Sequence, residues 1–110
     1  MHDDADSRLV ELLCQGRVAA FNEARAGMEA PSIRGADLCA ADLRELDARN
    51  LDMRDCHLRR ADLRGLDLST ARLEGCSLAE ARVSGALFPA DFSAEELNLS
   101  LSHGTRLRRR

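Results

Sequence analysis

The 110-residue chain contains no lysine, no tryptophan and no tyrosine, and it has only three phenylalanines. Its core therefore has to be built from Leu, Ala, Val and Cys. All 16 basic residues are arginine, a compositional trace of a GC-rich genome more than of mechanism. No apolar run approaches the ~18 residues that a membrane-spanning helix needs. The opening "MHDDADS" is acidic, which argues against a signal or transit peptide. The four cysteines (Cys14, Cys39, Cys56, Cys76) form no Cys-x-x-Cys pair, so the expectation is reduced thiols in a cytoplasmic protein. A net charge of −3 speaks against a nucleic-acid binder and equally against a strongly acidic decoy.

What is present is a chain of one-domain size whose 45 % apolar content can support a core. Residues 7 to 26 read as one amphipathic helix, with Leu9, Leu12, Leu13, Val18 and Phe21 on a broad face. Asp6 or Ser7 can cap its start and Gly27 its end, although Gly16 interrupts the pattern. From Pro31 to Ala90 a period of five takes over, which fits neither a helix nor a strand face. Its large apolar position holds Ile33, Leu38, Leu43, Ala48, Met53, Leu58, Leu63, Leu68, Leu73, Leu78, Val83 and Phe88. Two residues before each stands a second, smaller set that includes Ala36, Ala61, Cys56 and Cys76. A polar residue separates the two, Asp at six repeats. Several repeats end in glycine, as a tight corner would want. Beyond Pro89, Ser93 stands three residues ahead of Glu96 at capping-box spacing, with Leu97 and Leu101 four apart and Gly104 as a stop. A short helix is expected there, though the alternation Leu97, Leu99, Leu101 also permits a strand.

The run "GADLCAADLRELDARNL…ADLRGLDL" resembles the A(D/N)Lxx signature of pentapeptide-repeat proteins. That resemblance implies a mainly β fold, a right-handed quadrilateral β-helix in which four repeats make one square turn of twenty residues. Twelve repeats would make about three turns, with Leu38, Leu43, Met53, Leu58, Leu63, Leu68, Leu73, Leu78, Val83 and Phe88 pointing inward. The organisation expected is an N-terminal capping helix in 1–30, a β-helix in 31–90, and a C-terminal helical cap with a basic tail in 91–110. So short a solenoid has two open ends that need caps.

No catalytic or metal-binding set emerges, and no cofactor is implied. Cys56 and His57 are adjacent and should face opposite sides of the wall; Cys56 and Cys76 stack one turn apart as small core residues. His2 and His103 have no ligand-like spacing. Between residues 31 and 90 there are ten acidic and nine basic side chains, so the walls read as ladders of mixed charge. Arg34, Arg54, Arg59, Arg60 and Arg64 form a local basic concentration where an acidic partner could dock. Phe92, Leu97, Leu99 and Leu101 mark a candidate self-association end, and the terminal "RLRRR" reads as a solvated, mobile tail. The function expected is a non-catalytic interaction or scaffold module with an unidentified protein partner, able to form a homodimer through its C-terminal end and binding neither membrane nor nucleic acid. Two alternatives stand beside it. One is a self-assembling structural subunit. The other comes from the resemblance, a DNA-mimicking binder of gyrase, against which the short shaft and balanced charge argue.

Overall fold

A leucine at every fifth residue can stay inside only if the backbone turns a corner once per repeat. In the computed structural model, which describes residues 4–109, it does so. Seven parallel bridges, each a single residue pair, join residues twenty positions apart: Ser32–Asp52, Asp37–His57, Asp42–Asp62, Asp52–Arg72, His57–Ser77, Asp62–Arg82 and Asp67–Leu87. Residues 31–90 thus form a four-sided coil of twenty-residue turns. Backbone bonds such as Ile33 N to Asp52 O and Asp52 N to Pro31 O, both 2.9 Å, tie each turn to the next. Among the described residues no strand extends beyond a single bridge. The expected mainly β secondary structure is corrected to that extent, because each side runs only about three residues before a corner, too short for a continuous ladder.

The apolar positions line the inside. Leu38, Leu43, Met53, Leu58, Leu63, Leu68, Leu73 and Leu78 are buried, while Val83 and Phe88, in the last turn, are only partly so. Four corners use glycine, among them Gly35 (φ 77°) and Gly85 (φ 73°). The same left-handed conformation recurs at Ala40 (φ 61°), Asn50, Asp55, Arg60 and Glu80, where a side chain costs about 1 kcal/mol. Ala40→Gly should therefore raise the midpoint of thermal unfolding by a few degrees. Gly85→Ala should lower it by a similar amount, since an added Cβ there would touch nothing closer than 3.8 Å and the cost is in the backbone alone. Paired thermal melts of the two variants check both signs.

Helices cover the ends. The single helix expected over 7 to 26 is instead two, α1 (Asp4–Cys14) and α2 (Val18–Arg25). Gly16, at φ 73°, breaks them apart, and the break lets Leu9, Leu12, Leu13 and Phe21 all reach the first turn of the coil. Asp6 lies inside α1, and its carboxylate accepts the Ser32 amide at 3.1 Å instead of capping the helix. Asn22 of α2 gives its Nδ2 to Glu45 O and takes Asp47 N on its Oδ1, each at 2.8 Å. A side-chain amide offers an N–H to donate and a carbonyl to accept, as a peptide unit does, so Asn22 stands in for the coil that would lie below. Arg25, 5 % exposed, donates to the carbonyls of Asp47, Arg49 and Met28.

At the other end α3 (Ala94–His103) starts on Ser93, whose hydroxyl accepts Glu96 N at 3.1 Å, and stops on Gly104 in the left-handed region. The C-terminal segment then folds back. Ser77 and Arg106 form an antiparallel bridge, and Leu107 is buried with bonds to Gly75 N and Cys76 O. This corrects the mobile tail expected from "RLRRR": its leucine is a core residue, and Arg109 pairs with Asp91 at 3.2 Å. Buried Ser100 joins tail to coil, accepting Leu78 N at 2.9 Å and donating to Thr105 O at 2.6 Å. No helix among the described residues is long and apolar enough to cross a membrane.

Candidate interaction surfaces

Outer side chains alternate with inner ones, so the residues on either side of each large apolar position share the outer face. The coil leaves one backbone amide per repeat, that of the residue after the large apolar one, without a partner in the neighbouring turns. Aspartate meets that need. Asp37, Asp42, Asp47, Asp52, Asp62 and Asp67 each accept the amide two residues on through Oδ1, at 3.0 to 3.2 Å. The Asp of the five-residue pattern is thus a backbone bond in side-chain form, a role that periodicity does not reveal.

A model of pentapeptide repeats matches residues 30–60 and 56–88, in eight copies. The chain belongs to the pentapeptide-repeat family. Neither a search of curated proteins nor one of solved structures returns a match.

Where this pentapeptide-repeat protein places Arg two residues after such an aspartate, the same carboxylate holds it twice over. Arg44, Arg49, Arg54 and Arg64 each give Nε and Nη2 to the carboxylate two residues back, at 2.7 to 3.0 Å. Those forked, charge-assisted bonds hold Asp42 below the usual carboxylate range, and Asp62, bonded to Arg64, falls to about 2. A carboxyl whose folded pKa is depressed adds stability above its unfolded value and loses it as pH falls through the folded one. The urea midpoint should accordingly stay flat from neutral pH to about 5, then fall steadily toward about pH 2.

The basic concentration Arg34, Arg54, Arg59, Arg60 and Arg64 is spread over three sides of the coil by the twenty-residue register. Four of the five already have carboxylates: Arg34 with Asp55 at 3.2 Å, Arg54 with Asp52, Arg60 with Glu80 at 2.6 Å, and Arg64 with Asp62. Arg59 is exposed, and no ion pair engages it among the described residues. Of the apolar set near the C-terminal end, Phe92 is buried, Leu97 and Leu101 pack partly against the core, and Leu99 is 43 % exposed. Leu87, on the outer face above Asp67, is 58 % exposed.

The two ends differ. On the last turn Gly75, Leu78 and Glu80 have their amides taken by the C-terminal cap, but the amides of Val83, Gly85 and Phe88 meet no acceptor among the described residues. Cys56 and Cys76 are fully buried and donate to Ile33 O at 3.1 Å and Met53 O at 2.8 Å. Burial pushes the Cys56 thiol up to about 12 and the Cys76 thiol upward as well, so neither is a nucleophile near neutral pH. His57, on the outer face, is exposed and turned away from Cys56. His2 lies outside the described residues, and among those described no group of His, Cys, Asp and Glu is arranged to hold a metal ion.

Proposed function

We propose that the coil is a right-handed quadrilateral β-helix and that the protein works as a rigid, non-catalytic scaffold that binds another protein, in the cytoplasm. The observation that carries this reading is the fate of the wall carboxylates. Each repeat aspartate is committed to its own backbone, and four of the six also to an arginine, so they recur along the walls without converging in a cleft. The aspartate–arginine pairs also cancel the dense negative charge that imitation of duplex DNA requires, which weighs against gyrase binding.

Affinity capture of the tagged protein from its own cytoplasm, with mass spectrometry of what co-purifies, tests the proposal. One enriched partner supports it. Gyrase subunits in that place, together with inhibition of supercoiling, would replace it with the mimic. A second reading, pairing of two copies through the C-terminal end, draws on the open amides of Val83, Gly85 and Phe88. A monomeric mass by sedimentation at high protein concentration would remove it.

A further inference from the structure

Two cysteines lie outside the core and share one cleft. Cys14, the last residue of α1, and Cys39, on the outer face of the first turn, are both exposed. With Leu13, Gly16, Asp37 and Asp42 they line a cleft of about 230 Å³ between the N-terminal cap and the coil. The Cys14 thiol sits 4.0 Å from the carbonyl oxygen of Asp37, only two residues of extended chain, about 7 Å, from Cys39. Asp37 in turn accepts the Cys39 amide at 3.2 Å, which fixes Cys39 over the same cleft. Both thiols thus flank Asp37 in one cleft, and Gly16 follows Cys14 by two residues at φ 73°, so a disulfide here would draw the end of α1 toward the coil.

We propose that Cys14 and Cys39 form a redox latch, closing as a disulfide under hydrogen peroxide and pinning the N-terminal cap to the coil. The Cys14 thiolate attacks peroxide: an S–O bond forms, the O–O bond breaks and water leaves after taking up a proton. The Cys39 thiolate then displaces the sulfenic oxygen as a second water, forming the S–S bond. Two thiols and one peroxide thus give one disulfide and two waters. The Asp37 carboxylate beside Cys39 raises that thiol's pKa, so the second step should quicken as pH rises and more of Cys39 becomes thiolate. Cys56 and Cys76 are withheld from the oxidant by burial.

The test uses the full reduced chain, treated with about one equivalent of peroxide, alkylated and digested with trypsin without reductant. Arginines separate all four cysteines into different peptides. The expected product is a monomer in which peptides 9–17 and 35–44 are linked. Closing a loop of this length should raise the melting temperature by roughly 5–10 °C, reversibly with dithiothreitol. Cys14→Ser and Cys39→Ser should each abolish both the link and the rise, while melting like the reduced parent without peroxide. A link between Cys56 and Cys76, a link between chains, or sulfinic acid at Cys14 with Cys39 left free to alkylate would overturn the proposal.

Discussion

Leu63→Ala lowers the unfolding free energy by about 4 kcal/mol, and Leu63→Asp leaves no folded protein. Leu63 is fully buried in the middle turn, stacked by the twenty-residue register between Leu43 and Val83. Its backbone is held from both sides of the stack: its own amide bonds Arg82 O and its neighbour Asp62 donates to Ala41 O, each at 2.8 Å. Walls tied in this way cannot close on a cavity, which places the loss toward the upper end of the roughly 2–5 kcal/mol range for buried Leu→Ala. A carboxylate at the same site would have no partner, at a cost comparable with the whole ~5–15 kcal/mol stability of a domain. Urea unfolding of the Ala variant at unchanged m-value gives the number. Leu87→Ala is the control: at 58 % exposure it should change stability by no more than about 0.5 kcal/mol. A loss below about 1 kcal/mol at Leu63 would mean the interior is not close-packed.

Arg25→Ala should cost about 3 kcal/mol and free the N-terminal end selectively. The guanidinium serves three carbonyls and lies 3.8 Å from the Asp47 carboxylate, and those acceptors have no coil beneath them. Its removal takes a charged donor from all three part-buried carbonyls. Arg25→Lys should recover little, since one ammonium cannot reproduce the planar fork. In a stacked structure each turn contacts only its neighbours. Hydrogen exchange should therefore accelerate in α2 and the first turn while the amides of Gly75, Leu78 and Glu80, bonded into the C-terminal cap, keep their protection. Uniform acceleration along the whole coil would show that the cap and the far turn unfold together.

Much of this architecture was legible without coordinates, because a five-residue repeat constrains every repeat alike. The inward leucines, the glycine corners and the Ser93 cap all follow from local pattern. The reading failed where one residue's partner lies far away. Gly16 looked like a blemish in one helix, and only contact with the coil makes it a break between two. The tail "RLRRR" looked solvated because its charge outweighs one leucine, yet Leu107 finds an open edge at Gly75 and Cys76. The five arginines looked like a patch because their stacked numbers lie close, whereas the corners send them to different sides and carboxylates neutralise four, three aspartates and Glu80.

By itself, then, the sequence determined the period, the inside and the outside, since alternation and repeat length are properties of consecutive residues. The tertiary structure alone decided how the ends are closed. Asn22 and Arg25 complete the first turn, Ser100 and Leu107 part of the last, and Val83, Gly85 and Phe88 keep open amides. The physical reason is that a backbone group at an end has no neighbouring turn, and which distant side chain replaces it depends on where the chain returns in space.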